Sequence, residues 1–333
     1  MQNYDIVKNA ICKKTQAHVP YCIRFTWEFI EKFSDDILKR YANEKILKLK
    51  EHFSKSLLID FAIGNSVVCL PVPWWEWDSS QTEFKNEVDI PHFNFRTFGK
   101  GSYEILKKQI EAVNEVGNYY VTAPIYGSYI EKFQLLRGIE NSLADMAGDI
   151  DGSRKILDFI LRKNIVMLEN IVNVNGLDGI LLGSDWGSQR GMLISPDCWR
   201  EMIKPGEQAE YNLIKNAGKD VWVHSCGDIT PIIPDLVEMG VDVLNPVQPE
   251  CMDIYALKNN YGDKLTFWGG ISTQQTLPNG TPQEVKEETR RVIGYMAKNG
   301  GYIVAPAQEI QIDVPLENVF ALIDTVKELK NEA

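Results

Sequence analysis

Short apolar runs separated by longer amphipathic stretches organise this chain. Eight runs read as buried strands: Tyr21-Cys22-Ile23-Arg24-Phe25-Thr26, Leu57-Leu58-Ile59-Asp60-Phe61-Ala62, Tyr119-Tyr120-Val121-Thr122-Ala123-Pro124 and Gly179-Ile180-Leu181-Leu182-Gly183 in the first part, then Val221-Trp222-Val223-His224, Val241-Asp242-Val243-Leu244-Asn245-Pro246, Leu265-Thr266-Phe267-Trp268 and Tyr302-Ile303-Val304-Ala305-Pro306. Helical stretches lie between them, over 28–51, 103–116, 128–149, 153–174, 231–239, 253–260, 282–298 and 315–329. Another starts at Ser195-Pro196, a cap followed by Pro in the first turn, and ends near Gly218. Thr281-Pro282-Gln283-Glu284 has the spacing of a capping box.

Residues 65–101 break the alternation. They hold Pro71, Pro73, Trp74, Trp75 and Trp77, then polar turn residues and His92-Phe93-Asn94-Phe95. A stretch of this length reads as an inserted hairpin or lid after the second strand. Its tryptophan cluster would pack on the body of the domain or form a homodimer contact.

Eight short, continuously apolar strands alternating with helices predict one domain over residues 1–333, a (β/α)8 TIM barrel carrying that insertion. The competing arrangement, an open doubly wound sheet, lacks its Gly-x-Gly-x-x-Gly turn after the first strand.

Composition narrows the function. The 333 residues carry a net charge of −11, and the Lys and Arg are scattered, which argues against a nucleic-acid partner. No apolar run reaches the roughly 18 residues of a membrane span, and Met1-Gln2-Asn3-Tyr4-Asp5-Ile6 has no leader character, so a cytoplasmic location is expected. Six cysteines in so long a chain are too sparse for a disulfide scaffold.

In barrels of this type the chemistry sits where strands end. The ends here are Arg24 to Glu28, Asp60, Ala123 to Tyr126, Ser184 to Gln189, His224 to Asp228, Asn245 to Gln248, Trp268 to Ser272 and Ala305 to Glu309. Asp185, His224, Cys226, Gln248 and Glu309 are polar groups whose burial is costly without a partner. His224 and Cys226, at i and i+2, share one face of an extended chain and can hold one metal together. A hydrogen-bonded histidine beside a buried cysteine is the simpler alternative.

Val223-His224-Ser225-Cys226-Gly227, Gly240-Val241-Asp242, Phe267-Trp268-Gly269-Gly270-Ile271, Leu277-Pro278-x-Gly280-Thr281-Pro282-x-Glu284-Val285, Gly300-Gly301-Tyr302 and Pro315-x-Glu317-Asn318 occur in order, with Ser195-Pro196 upstream. As a set they resemble the uroporphyrinogen decarboxylase superfamily, closest to its corrinoid-dependent methyltransferase branch. The resemblance covers residues 175–330 well and implies an α/β barrel. It further implies an enzyme that moves a methyl group between a small methylated substrate or thiol and cobalamin carried on a separate corrinoid protein, with zinc as Lewis acid.

Carried over residue by residue, the resemblance makes His224 and Cys226 metal ligands. Asp185 and Glu309 would orient or protonate the substrate, and Gln248 would hydrogen-bond it. Arg24, Trp27, Trp186, Trp268 and Gln308 would line the substrate site, several indoles suiting an aromatic ether or a quaternary ammonium. Two departures matter. Counting back from Pro315 puts Gln308 where relatives carry a third soft ligand, leaving Glu309, Cys251 or, less readily, Asp185 to complete the set. Strand one offers only Arg24 in place of the Arg-rich segment of true decarboxylases. A cofactor-free decarboxylase therefore ranks second, followed by a non-catalytic ligand-binding barrel.

Overall fold

The structure is a computed structural model that describes residues 2–15, 17–72 and 100–331. Seven main strands follow: β1 (Val67–Cys69), β2 (Tyr120–Ile125), β3 (Gly179–Gly183), β4 (Asp220–His224), β5 (Val243–Asn245), β6 (Thr266–Ile271) and β7 (Tyr302–Pro306). Every residue of β2, β3, β4, β5, β6 and β7 is buried. That is why these strands read as unbroken apolar runs instead of alternating ones. The chain divides into two compact units, one of residues 1–68, 118–120 and 243–333, the other of 69–117 and 121–242.

In the second unit β2, β3 and β4 lie side by side and parallel. The register sets Ile125 beside Leu182, and Gly183 beside His224, so the three strands end level. Helices Ile130–Arg137, Ile139–Gly148 and Ile150–Ile171 connect β2 to β3. Pro196–Met202 and Lys204–Asn216 connect β3 to β4. Ser195 caps the first of these through Cys198 N, as its sequence led one to expect.

In the first unit β5, β6 and β7 are parallel, with Phe267 beside Tyr302 and Ile271 beside Pro306. Thr281 and Glu284 form the full capping box at the start of helix Pro282–Met296.

Two expected strands differ. Residues 57–62 are the interior of a helix, Lys55–Ile63, capped by Ser54 and ended by Gly64 at φ 84. An apolar run of six fits a fully buried helix as well as a strand, and all of Leu57 to Ile63 are buried. The strand follows the helix as β1, inside what reads from sequence as the insertion. Asp60 therefore does not end a strand; it accepts a hydrogen bond from Asn65 Nδ2 at 2.7 Å.

The 21–26 run keeps a strand's place with few of its bonds. Tyr21 and Phe25 pair in parallel with Val304 and Ile310, and on the other side Ser66 N donates to Tyr21 O at 2.8 Å. The Asn65 side chain bonds both the N–H and the carbonyl of Ile23, replacing ladder bonds. The expected lid over 65–101, with Trp74, Trp75 and Trp77, falls outside the described residues from 73 to 99. The expected helix over 28–51 is Trp27–Tyr41 followed by the single turn Glu44–Leu47.

Candidate functional site

Because β3 and β4 end level, the loops that leave them, 184–188 and 225–228, run together. Ser184 N donates to His224 O at 3.0 Å, Trp186 N to Ser225 Oγ at 3.0 Å, Cys226 N to Asp185 Oδ1 at 2.9 Å and Asp228 N to Ser188 O at 2.9 Å. So close an approach needs glycine. A Cβ on Gly227, whose φ is +81°, would stand 2.4 Å from Gly187 C and Ser188 N.

This pairing puts three donor groups together. His224 Nε2 lies 3.5 Å from Cys226 Sγ and 3.6 Å from Asp185 Oδ1. One ligand atom from each residue falls within 4.8 Å of the others. Zinc–nitrogen, zinc–oxygen and zinc–sulfur bonds of about 2.0–2.3 Å give tetrahedral edges of about 3.3–3.6 Å, so the trio is spaced as three corners of a zinc site. An imidazole, a thiolate and a carboxylate are suitable zinc donors, and three protein ligands leave a fourth corner open. Asp185, ranked from sequence behind Glu309 and Cys251 as third ligand, is the group that stands beside the pair. The parallel pairing of β3 with β4 brings it there.

The surroundings of the trio come from neighbouring loops of the same unit. Tyr126, just past β2, lies perpendicular to the His224 ring at 5.4 Å between centroids, with 47% of its surface exposed. Glu131, in the first turn of helix Ile130–Arg137, accepts a bond from Gly127 N at 2.9 Å. Burial, and then the Asp185 charge, push the Glu131 carboxyl up to about 7.

Behind the trio, Trp186 is fully buried, perpendicular to Trp199, with its indole N–H on Glu207 Oε1 at 3.2 Å. Glu207 and Glu210 are themselves buried on helix Lys204–Asn216. Burial raises both carboxyls, Glu210 to about 8 despite its bond from Asn164. Asn164 also donates to Ser128 O, tying this acidic pair to the loop after β2. Neither Glu131 nor the Glu207–Glu210 pair stood out in sequence, because acidic residues on a helix normally face water.

The remaining site residues expected from sequence belong to the first unit. Arg24 Nη2 pairs with Glu309 Oε1 at 3.0 Å, and Gln308 Oε1 accepts from Glu309 N at 2.9 Å. Gln248, Gln308 and Glu309 line a cavity of about 370 Å³ together with Thr273, Gln274, Asn279 and Gln311. The Cys251 thiol is engaged with Gln248. Trp268 is buried with its N–H on Cys22 O at 3.2 Å, so this indole is part of the packing. Trp27 starts helix Trp27–Tyr41 and is 65% exposed. A larger cavity, of about 740 Å³, opens beside Tyr255, Glu288 and Arg291 and is lined by Cys251.

Comparison with known proteins agrees with this architecture. A methyltransferase from Methanosarcina mazei has the same fold, with a TM-score of 0.73 at 18% identity, covering 98% of this chain and 99% of that one. The methylated-thiol–coenzyme M methyltransferase of Methanosarcina mazei is 28% identical over 141 residues, which make up 42% of this chain and 36% of that protein. The matched stretch thus spans little more than a third of that relative. The family model for uroporphyrinogen decarboxylase (URO-D) matches residues 105–329, well over half of the sequence. By that match, this chain belongs to the uroporphyrinogen decarboxylase (URO-D) family.

Proposed function

We propose that this protein is a methyltransferase that moves a methyl group between a small methylated substrate or thiol and a corrinoid protein, at a zinc site formed by Asp185, His224 and Cys226. The spacing of those three donors carries the reading. A relative that acts on methylated thiols, by its name, supports it from outside. Zinc bound there would supply Lewis-acid chemistry to a substrate heteroatom, lowering the basicity of a thiol or improving a leaving group.

The chain's own groups perform the rest. Asp185 Oδ1 is held by Cys226 N, which fixes the carboxylate beside the thiol before any ligand arrives. Glu131 Oε2 is engaged by Gly127 N, which leaves Oε1 of a carboxyl raised to about 7 as the oxygen able to exchange a proton. Buried Trp186, with Ser225 Oγ accepting its backbone N–H, keeps the Asp185 loop on the β4 loop and holds water off its inner side. In the first unit, Gln248, Gln308 and Glu309 line a cavity of their own, with Glu309 paired to Arg24.

Decarboxylation of a polycarboxylate ranks below this reading, since Arg24, the one basic residue on the first apolar run, is already paired with Glu309. Elemental analysis and an assay of methyl exchange between a methylated corrinoid and simple thiols test the proposal. Stoichiometric zinc and thiol-dependent demethylation are expected, both lost in His224→Ala. Full activity in a zinc-free His224→Ala protein would sink the mechanism.

A further inference from the structure

The trio leaves one neighbour without a role: Tyr126. Its ring is half exposed, perpendicular to His224, and positioned by a specific absence. A Cβ on Gly183 would come 2.8 Å from Tyr126 Cδ1, so the glycine that ends β3 is what lets the ring reach His224. A tyrosine held solely for packing would be covered; this one offers 47% of its surface beside the donor groups.

Two carboxyls, Asp185 and Glu131, stand on its side of the trio, with Lys132 acting on Glu131 from the next position. Asp185 pairs with His224, and no Lys or Arg pairs with Asp185 among the described residues. Glu131 adds a second carboxyl that feels Asp185. An exposed aromatic face attracts a cation and offers nothing to an anion.

We propose that Tyr126 is a substrate-contacting, specificity-determining residue, and that the thiol or thioether this site accepts carries a positively charged nitrogen. The inference rests on the thiol-accepting metal site proposed above. The sulfur would go to the open corner beside His224, Cys226 and Asp185, and the ammonium group to Tyr126 and Glu131.

Three thiols of similar size test it. Thiocholine carries a trimethylammonium group, 3,3-dimethyl-1-butanethiol is its uncharged isostere, and 3-mercaptopropionate is anionic. Binding to the zinc-loaded protein is measured by calorimetry, which does not require turnover. Thiocholine is expected to bind roughly 2- to 30-fold more tightly than the isostere, the range of one cation–π contact, with the anionic thiol weakest. The preference should persist in Tyr126→Phe, collapse towards unity in Tyr126→Leu and shrink in Glu131→Gln.

Equal binding of the charged and uncharged thiols, or a preference that survives Tyr126→Leu, overturns the inference. Binding by none of the three overturns it together with the thiol-site reading. A thiocholine preference that follows Tyr126, in a protein that never exchanges methyl groups with a corrinoid, upholds the inference and removes the proposed reaction.

Discussion

The strand ends of the two units treat their polar groups in opposite ways. In the second unit, the loops after β3 and β4 are laced together by backbone bonds, and that lacing leaves Asp185, His224 and Cys226 facing one another. In the first unit the charged groups neutralise one another or are used up by loops. Arg24 holds Glu309, Glu250 accepts from Ser272 Oγ, and Glu288 accepts from Ser272 N and from the Thr276 hydroxyl. The first cluster gathers an imidazole, a thiol and a carboxylate, whereas the second ties its carboxylates to loops and to Arg24.

The largest effect that would break this contrast is at Asp185. Asp185→Ala removes one of three donors, and we expect zinc affinity, measured by chelator competition, to fall about a hundredfold or more. An unchanged affinity would show that the third ligand comes from elsewhere. Gly227→Ala should follow, since it forces a Cβ into Gly187 and Ser188 at a left-handed φ. A destabilisation of about 2–4 kcal/mol by denaturant titration is expected, with zinc affinity lost in parallel.

Glu210 sharpens the contrast through pH. Its carboxyl is raised to about 8 in the fold, chiefly by burial, against an ordinary 4.5. The folded chain then holds this proton more tightly than the unfolded chain does. The contribution to stability is therefore complete below about pH 4.5 and is lost as pH rises through about 8. Glu210→Gln should flatten the fall of melting temperature between about pH 5 and 8, and an unchanged slope would mean the carboxylate is solvated. The smallest effect belongs to the first unit. Arg24 and Glu309 are both partly exposed, and Arg24→Gln should cost under about 1 kcal/mol of stability by thermal melt and leave zinc affinity unchanged.

Much of the fold could be read along the chain because strands buried on both faces need continuous apolar runs, and caps such as Ser195-Pro196 and Thr281 to Glu284 mark where helices begin. The residues 57–62 failed that reading because burial on all sides erases the period that separates helix from strand. The signal was present at the edges, in Ser54 and in Gly64 with its left-handed φ. The uneven register at Tyr21 to Phe25 had no such marker, since Asn65 supplies the missing ladder bonds from forty residues away.

The sequence by itself determined the His224–Cys226 pair. His224 and Cys226 are two residues apart on one strand end, so local geometry alone brings them together. It also determined the alternation of buried strands and helices from residue 119 onward and, through ordered motifs, the family. Only the tertiary structure placed Asp185 and its neighbours beside that pair. Asp185 lies about forty residues upstream of Cys226, and Tyr126 and Glu131 come from a different loop. Their approach depends on how β2, β3 and β4 align, a property of strand pairing that no local spacing encodes. The same holds for Glu207 and Glu210, whose helix turns them inward because neighbouring elements cover that face.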